Sequence, residues 1–368
     1  MGNCSLNRDL PGGSLRHRAI VNSSGDTCVP QSQNLPQLHA GSALNFVDMV
    51  DKEHLVTCGE DGGVSLLNWC NGSIVAEWRS GAASVNRVAC GRVRYDCYSS
   101  SRDLVIQHWR RGQQEPVQEL QGHALSINAL AVSYDETKLC SGSRDYTVRI
   151  WDIASQTQIS KSEINRNVVT CCRWIGGTDP ALVAQGSEDL TVRVWDTRGP
   201  ALQCGQILRG FVYFPLSMDT SPDGRFLLTG AKGFSAGNGA DVKLWDRRKA
   251  DGPLHQMSGH AMDVKGVGFL PTSKGLNDGR SSLASASKDQ TIKIWDQTTG
   301  VQAAEWNVGG GMFTSMASAH HDGSGAGSKG GSNCILFCAV TFWGSIYVYS
   351  KQGIALRQRH VPSNPALN

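Results

Sequence analysis

The chain has 368 residues, 42 of them glycine, with 18 % charged side chains and a formal net charge of +3. That length holds one to three domains, and so slight an excess of positive charge argues against a nucleic-acid backbone or a basic membrane patch. No apolar run of about 18 residues marks a membrane span, and no apolar h-region follows the N-terminus to mark a secretory signal.

Residues 1–38 are rich in Pro, Gly, Ser and Asn and read as a short flexible extension, with one edge strand at residues 17–22. Gly2 after Met1 is the acceptor that N-myristoylation requires. Cys4 is placed for palmitoylation, the second anchor a stable tether needs. The motif wants Ser or Thr at position 6, where this chain has Leu6, with Ser5 one place early. The competing reading is an ordinary Met-Gly-Asn-Cys start.

From residue 39 to residue 361 the chain repeats, leaving 362–368 as a C-terminal tail. The clearest repeat opens at Gly122-His123 and closes at Trp151-Asp152. Between them lie an alternating run at 127–132, a turn at 133–136, a second run at 138–141, a tight turn at Arg144-Asp145 and a strand at 147–151. This GH…WD pattern is that of a propeller blade. The positions equivalent to Trp151 are Leu67, Trp109, Trp195, Trp245, Trp295 and Tyr349, with successive separations of 42, 42, 44, 50, 50 and 54. Seven repeats predict an all-β, seven-bladed WD-repeat β-propeller, four strands to a blade around a central channel.

The other repeats depart from the pattern in specific ways. The first has His39 and Asp61 but Leu67-Asn68 in place of WD. The second keeps Asp103 and Trp109, with Gly81 in the His slot. The fourth keeps Asp189 and Trp195, with Asn165 near that slot. The fifth has Phe211 there and a Gly-rich insertion at 232–240. The sixth recovers His260, Asp289 and Trp295, with a lengthened connection at 272–280. The seventh is split by a spacer at 322–333, and Trp343 takes its Asp slot. The ring must close or leave raw sheet edges, and either residues 354–360 or residues 17–22 could supply the last outer strand.

His123, one of Ser141 and Ser143, Asp145 and Trp151 are the types that a buried chain of hydrogen bonds uses to satisfy an indole N–H and fix a His tautomer. A catalytic Ser/His/Asp reading is set aside, because no GxSxG elbow occurs and the trio recurs with the blades. The twelve cysteines fall mostly in strand patterns, as small core hydrophobes in a reduced protein: Cys58, Cys90, Cys140, Cys171, Cys172, Cys334 and Cys338. His320, His321, Cys334 and Cys338 come nearest to a metal cluster but lack ligand spacing. No phosphate loop or unique carboxylate dyad appears. Neither a catalytic centre, a metal nor a cofactor is expected.

Propellers bind partners on the face carrying the second-to-third-strand turns. Glu60, Arg102, Arg144, Glu188 and Lys288 precede the turn Asp, and Ser126 and Asp263 follow their His by three, so all are placed there. Their mixed signs suit a protein partner. Phe342-Trp343 at the seventh turn are the expected hot spot, against the alternative that Trp343 packs on a neighbouring blade; Phe234 in the fifth-repeat insertion is a second candidate. Two repeats extend WD to WDxR, at Arg198 and Arg248. This resembles the box by which substrate receptors contact the adaptor of cullin–RING ubiquitin ligases, although such an Arg also commonly pairs with an Asp on its own blade edge.

More specifically, the chain resembles the WD repeat-containing protein 31 family. The resemblance lies in Gly122-His123-Ala124, Leu130-Ala131-Val132-Ser133, Leu139-Cys140-Ser141-Gly142-Ser143-Arg144-Asp145, Arg166-Asn167-Val168-Val169-Thr170, Ser187-Glu188-Asp189 and Trp195-Asp196-Thr197-Arg198-Gly199. Gly233-Phe234, in the insertion, is a shared departure from the general pattern. The resemblance implies a non-enzymatic scaffold of the cytoplasm and the cilium or flagellum, including its base. It implies partners in intraflagellar transport, BBSome recruitment and the regulation of Arf-like small GTPases, with this chain a monomer inside a larger assembly.

Overall fold

The computed structural model describes His39 and residues 42–348, apart from 52, 70–71, 82, 163–166, 178–180, 235–237, 250–251, 271–280, 310 and 319–334. Only the backbone is described at 20–21, 27–28, 335–336, 349–350 and 353–358. Among the described residues there is no α-helix, and seven four-stranded antiparallel sheets stand around an axis. Blade three is typical: Ile127–Val132, Lys138–Ser143, Val148–Asp152 and Thr157–Lys161, from the axis outward. The other inner strands are Leu44–Met49, Val85–Cys90, Val169–Trp174, Pro215–Thr220, Val264–Leu270 and Phe313–Ser318.

Every blade takes its four strands consecutively from the chain. The outer strand of blade seven is Gly353–Gln358, so the C-terminal candidate supplies it. The N-terminal one does not: Ile20–Val21 pairs with Thr27–Cys28 in a separate two-stranded ladder, beside the outer strand of blade six, Gln302–Asn307. Among the described residues no strand is exchanged between the ends of the chain, and the ring closes through side-chain contacts.

Alternation along the strands explains how this suffices. Successive side chains of a blade face the blade before and the blade after it. The apolar core accordingly divides into seven clusters, one at each blade interface. The repeat tryptophans lie at the interface with the preceding blade, Trp151 against blade two and Trp295 against blade five. At the closing interface Leu67 stands in the Trp position and Trp69 joins Leu44, Val47, Val340 and Val348 instead. Thr314 Oγ1 donates to the Leu44 carbonyl at 2.8 Å across the same seam.

An ionic network on the axis ties blades that do not touch as neighbours. The carboxylate of Asp219, in blade five, pairs with Arg173 Nε of blade four at 3.3 Å. Its other oxygen accepts from Phe269 N of blade six at 3.0 Å and Ser318 Oγ of blade seven at 2.9 Å. Arg173 also reaches Asp48 of blade one at 3.9 Å. Burial alone would lower the Arg173 pKa, but the two carboxylates raise it, so the guanidinium stays charged. Tyr134 of blade three completes the circuit through Thr220 at 3.1 Å.

One expectation about the cysteines is corrected. Cys58, Cys140, Cys171, Cys172 and Cys338 are buried and free. Cys90, however, lies directly opposite Cys97 in the inner hairpin of blade two, and the two form a disulfide with Cα atoms 4.1 Å apart. Cross-strand pairing, invisible to a count of cysteines, brings them together.

Asp219→Ala leaves Arg173 without its nearest counter-charge and two donors without an acceptor. It is expected to destabilise the fold by about 3–5 kcal/mol, read as a lower urea midpoint; a loss under about 1 kcal/mol would show that the axial network is dispensable.

Candidate functional site

In blade three, His123 Nδ1 donates to Asp145 Oδ2 at 2.8 Å, Ser141 Oγ lies 2.8 Å from His123 Nε2, and Trp151 Nε1 donates to Ser141 Oγ at 2.8 Å. Ser141, not Ser143, is therefore the link; Ser143 binds the Leu125 and Ser126 carbonyls. Asp145 also holds the Ala124 and Thr147 amides, fixing the turn. Blade six repeats the set with His260, Asp289, Ser285 and Trp295 at 2.7–3.0 Å. Blade one keeps His39, Asp61 and Thr57 without a Trp.

Blades two, four and five keep the indole acceptor and little else. Trp109 donates to Ser99 at 2.8 Å, Trp195 to Gln185 at 2.7 Å and Trp245 to Thr229 at 3.0 Å. Asp103 binds Ser101. Asp189 pairs with Arg193 at 2.6 Å in place of a His. In blade five Phe211 fills the His slot and packs on Trp245, with ring centroids 5.2 Å apart. Asn165 lies outside the described residues.

These trios have the distances of a hydrolase triad, yet Ser141 and Ser285 are fully buried and already bonded on both sides. No electrophile can reach either hydroxyl. Burial pushes the Cys58 and Cys171 thiols up to about 12, which leaves neither as a thiolate near neutral pH. No group of three metal-ligating side chains occurs among the described residues; His320, His321 and Cys334 lie outside them.

The tied Asp turns build the face where the second and third strands meet, here called the upper face. In four of them the residue after Asp is non-glycine in the left-handed region: Leu104 (φ 72°), Tyr146 (φ 69°), Leu190 (φ 64°) and Gln290 (φ 69°). Each such residue costs of order 1 kcal/mol, offset by the Asp bonds beneath it. Tyr146 and Leu190 are turned into solvent, joined on the same face by Leu125, Val212, Phe234, Met262, Met312, Phe342 and Trp343. All come from blades three to seven. Phe234 is 62 % exposed, Trp343 43 % and Phe342 39 %. Phe342 and Trp343 meet edge to face at 5.6 Å, as Tyr213 and Phe234 do at 5.4 Å. Trp343 lies across Gly311, where any Cβ would overlap its indole.

Of the charged residues placed on this face, Glu60, Arg102 and Arg144 are exposed, and Glu188 and Lys288 are half-buried. Ser126 is half-buried and accepts from Asn86 of blade two at 3.1 Å. Asp263 is corrected: it is 7 % exposed and lies beneath the face, bound to Lys288 at 3.0 Å, Lys265 at 3.8 Å and the Gly233 amide at 3.2 Å.

The channel mouth was not foreseen. Every inner strand carries a register shift about its second residue, as between Ile127 and Ala129 or Val264 and Gly266. A bulge re-aims one side chain, and here it turns Asn45, Asn86, Asn128, Thr170, Leu216, Lys265 and Thr314 into a cavity of about 390 Å³. Several of them also clasp the next blade: Asn45 donates to the Val85 carbonyl at 2.8 Å and Thr170 to that of Pro215 at 2.5 Å. Arg87, Leu216 and Lys265 line both this cavity and the one beneath it, so they form its floor. The available signal was a charge in the inner strand of five repeats, at Asp48, Arg87, Arg173, Asp219 and Lys265.

Two segments, residues 114–152 and 251–296, match the family described as WD domain, G-beta repeat. They lead into and cover much of the two blades with the full His–Ser–Asp–Trp set. The chain is 32 % identical over 217 residues to nuclear distribution protein nudF of Aspergillus niger, covering 59 % of this chain and 40 % of that one. It is 31 % identical over 201 residues to Protein SPA1-RELATED 3 of Arabidopsis thaliana, covering 54 % and 16 %. It is 27 % identical over 212 residues to the U3 small nucleolar RNA-associated protein 15 homolog of Xenopus tropicalis, covering 56 % and 37 %. The chain thus spans less than half the length of each. Fold and matches define the class: a seven-bladed β-propeller built from WD repeats, an architecture that generally serves as a non-enzymatic protein-interaction scaffold.

On the opposite face the WDxR arginines behave differently from each other. Arg198 folds back on its own Asp196, with Nε at 2.9 Å. Arg248 is exposed, while Asp246 pairs with Arg225 at 2.9 Å.

Burial lowers the His123 pKa, against the opposing pull of Asp145. Burial would raise Asp145, but His123 and Thr147 hold it well below the usual carboxylate range. A depressed folded pKa means stability that is full above the unfolded value and lost below it. For His123 that loss begins as pH falls through about 6.5, and for Asp145 only below about 3.9. His123→Gln is therefore expected to flatten the fall in urea midpoint between about pH 6.5 and 5; an unchanged slope there would assign the acid sensitivity elsewhere.

Proposed function

We propose that this propeller is an interaction platform of the ciliary transport machinery, in the cytoplasm and at the cilium and its base, and that partners dock on its upper face. The observation that carries the docking reading is the concentration of exposed aromatic and aliphatic side chains on that one face, from Leu125 through Phe234 to Trp343. Isolated surface apolar groups are ordinary, whereas a cluster on one face marks an interface. Phe342 and Trp343 are preorganised by their mutual contact and by Gly311, so little entropy is lost when a partner covers them. The ciliary setting, with intraflagellar transport proteins, BBSome recruitment and regulators of Arf-like GTPases as partners, rests on the family resemblance of the repeats.

Proximity labelling in a ciliated cell tests both parts. The wild-type chain is expected to label transport proteins. Phe234→Ala with Trp343→Ala should lose most of that labelling, since hot-spot truncations cost about 2 kcal/mol each, roughly thirtyfold in affinity. Labelling without ciliary proteins would end the ciliary reading; labelling indifferent to the two substitutions would move docking off this face.

A lipid tether at Gly2 and Cys4 belongs to the same reading, and both residues lie outside the described ones. The double variant Gly2→Ala, Cys4→Ser is expected to shift from the membrane fraction to the soluble one, as loss of a dual-acyl anchor requires. Unchanged partition would remove the tether and leave the platform intact.

A further inference from the structure

The upper channel is electrostatically incomplete. Arg87, Arg144, Lys265 and Lys288 line it, against Glu188 on its wall and Asp263 behind the two lysines. Four cations thus face two carboxylates. Arg87, on the floor, stacks on the Phe46 ring at 4.6 Å and donates to the Asn86 carbonyl at 3.4 Å. Among the described residues no carboxylate lies within 4.0 Å of its guanidinium. Burial lowers the Lys265 pKa to about 8, and the charges of Lys288, Arg87 and Lys232 push the same way against Asp263. Asn128 faces the same space, and its amide has no protein partner among the described residues. Cations held together in a partly desolvated well repel one another, and an anion entering it relieves that repulsion while gaining charge-assisted hydrogen bonds.

We propose that this well receives an anionic side chain of an acidic peptide segment in a protein partner, held by Arg87 and Lys265 while the flanking apolar residues of the peptide lie on the rim between Phe234 and Trp343. The proposal rests on the upper face being a docking surface and names what that surface selects. A peptide fits better than a free anion. A lone carboxylate or phosphate fills little of about 390 Å³, and only a chain can reach the floor and the apolar rim together. The anion is an Asp or Glu carboxylate or a phosphorylated Ser, which share the fork that a guanidinium recognises.

The test is selection of a random twelve-residue phage-displayed peptide library on the full-length chain, followed by fluorescence anisotropy of the enriched peptides. Enrichment of Asp and Glu beside aromatic or aliphatic residues is expected. Arg87→Gln and Lys265→Gln should each weaken binding by roughly tenfold, as loss of one charge-assisted hydrogen bond of about 1.5 kcal/mol implies. Lys265→Arg, which keeps the charge, should restore binding to within about threefold. Replacing the enriched acidic residue by phosphoserine distinguishes the two sources: tighter binding assigns the well to a phosphorylated partner, and equal or weaker binding to a plain acidic one. Enrichment of apolar peptides without acidic residues would overturn the proposal and leave the docking face standing. Acidic peptides that bind the two Gln variants as well as wild type would also overturn it, provided circular dichroism shows the variants folded. Peptides insensitive to both the Gln variants and Phe234→Ala with Trp343→Ala would overturn the upper-face reading itself.

Discussion

The integrity of the ring depends on a constraint visible in its topology: among the described residues no strand is shared between the first blade and the last. A propeller closed by strand exchange has backbone hydrogen bonds across its seam, and this one has apolar packing, one hydroxyl from Thr314 and the axial ions. The inner strands also present unpaired backbone groups to the channel, which must find partners. Asp219 meets both requirements at once. It accepts from an otherwise orphaned amide of blade six and reaches blades four and seven. Trp174 does the complementary service, donating from its indole to the Ala131 carbonyl at 2.9 Å.

The decay of the WD pattern follows the cost of each missing group. What persists in every blade with a described repeat Trp is an oxygen for its indole: Ser99, Ser141, Gln185, Thr229 or Ser285. A buried N–H left unpaired costs about 1–3 kcal/mol, so the acceptor cannot be dropped while the Trp stays. His and Asp are dispensable because other chemistry can fill their places. Arg193 neutralises Asp189 in blade four, and in blade five Phe211 replaces the ring while Lys243 stacks on it at 5.3 Å. Blades two to six are variants of one solution to burying an indole, while blade one keeps His39, Asp61 and Thr57 with Leu67 in the Trp position.

Much of this was legible in the sequence. The Trp spacing and the apolar runs give seven sheets, and the inner runs of blade three begin and end where the alternation does, at Ile127 and Val132. The turn position placed Phe342-Trp343 on this face but left open whether Trp343 would pack on a neighbouring blade; it is 43 % exposed and lies across Gly311. The bulge at the second residue of each inner strand could not be read, because its cue is a register shift between paired strands and not a residue type. The channel ring and the floor of Arg87 and Lys265 were missed with it. Asp263 was misplaced for a related reason. Its distance from His260 matches that of Ser126 from His123, but the lysines on either side of it draw the carboxylate inward. Cys90 and Cys97 likewise become a pair only through strand register.

The two faces of the disc use their aspartates differently. On the opposite face the Asp of each WDxR box is spent locally, on Arg198 or Arg225. On the upper face the turn aspartates are consumed inward, by His123, His260 and Thr191. The residues beside them are thereby freed to face out, and in four turns a left-handed backbone turns the next side chain outward as well. Strain on the inside of the turns thus contributes Tyr146 and Leu190 to the apolar rim, and the repeated bulge lines the well within it. The same hydrogen bonds that hold the blades fix the turns that carry Tyr146 and Leu190, and side chains held in place beforehand lose little entropy when they are covered.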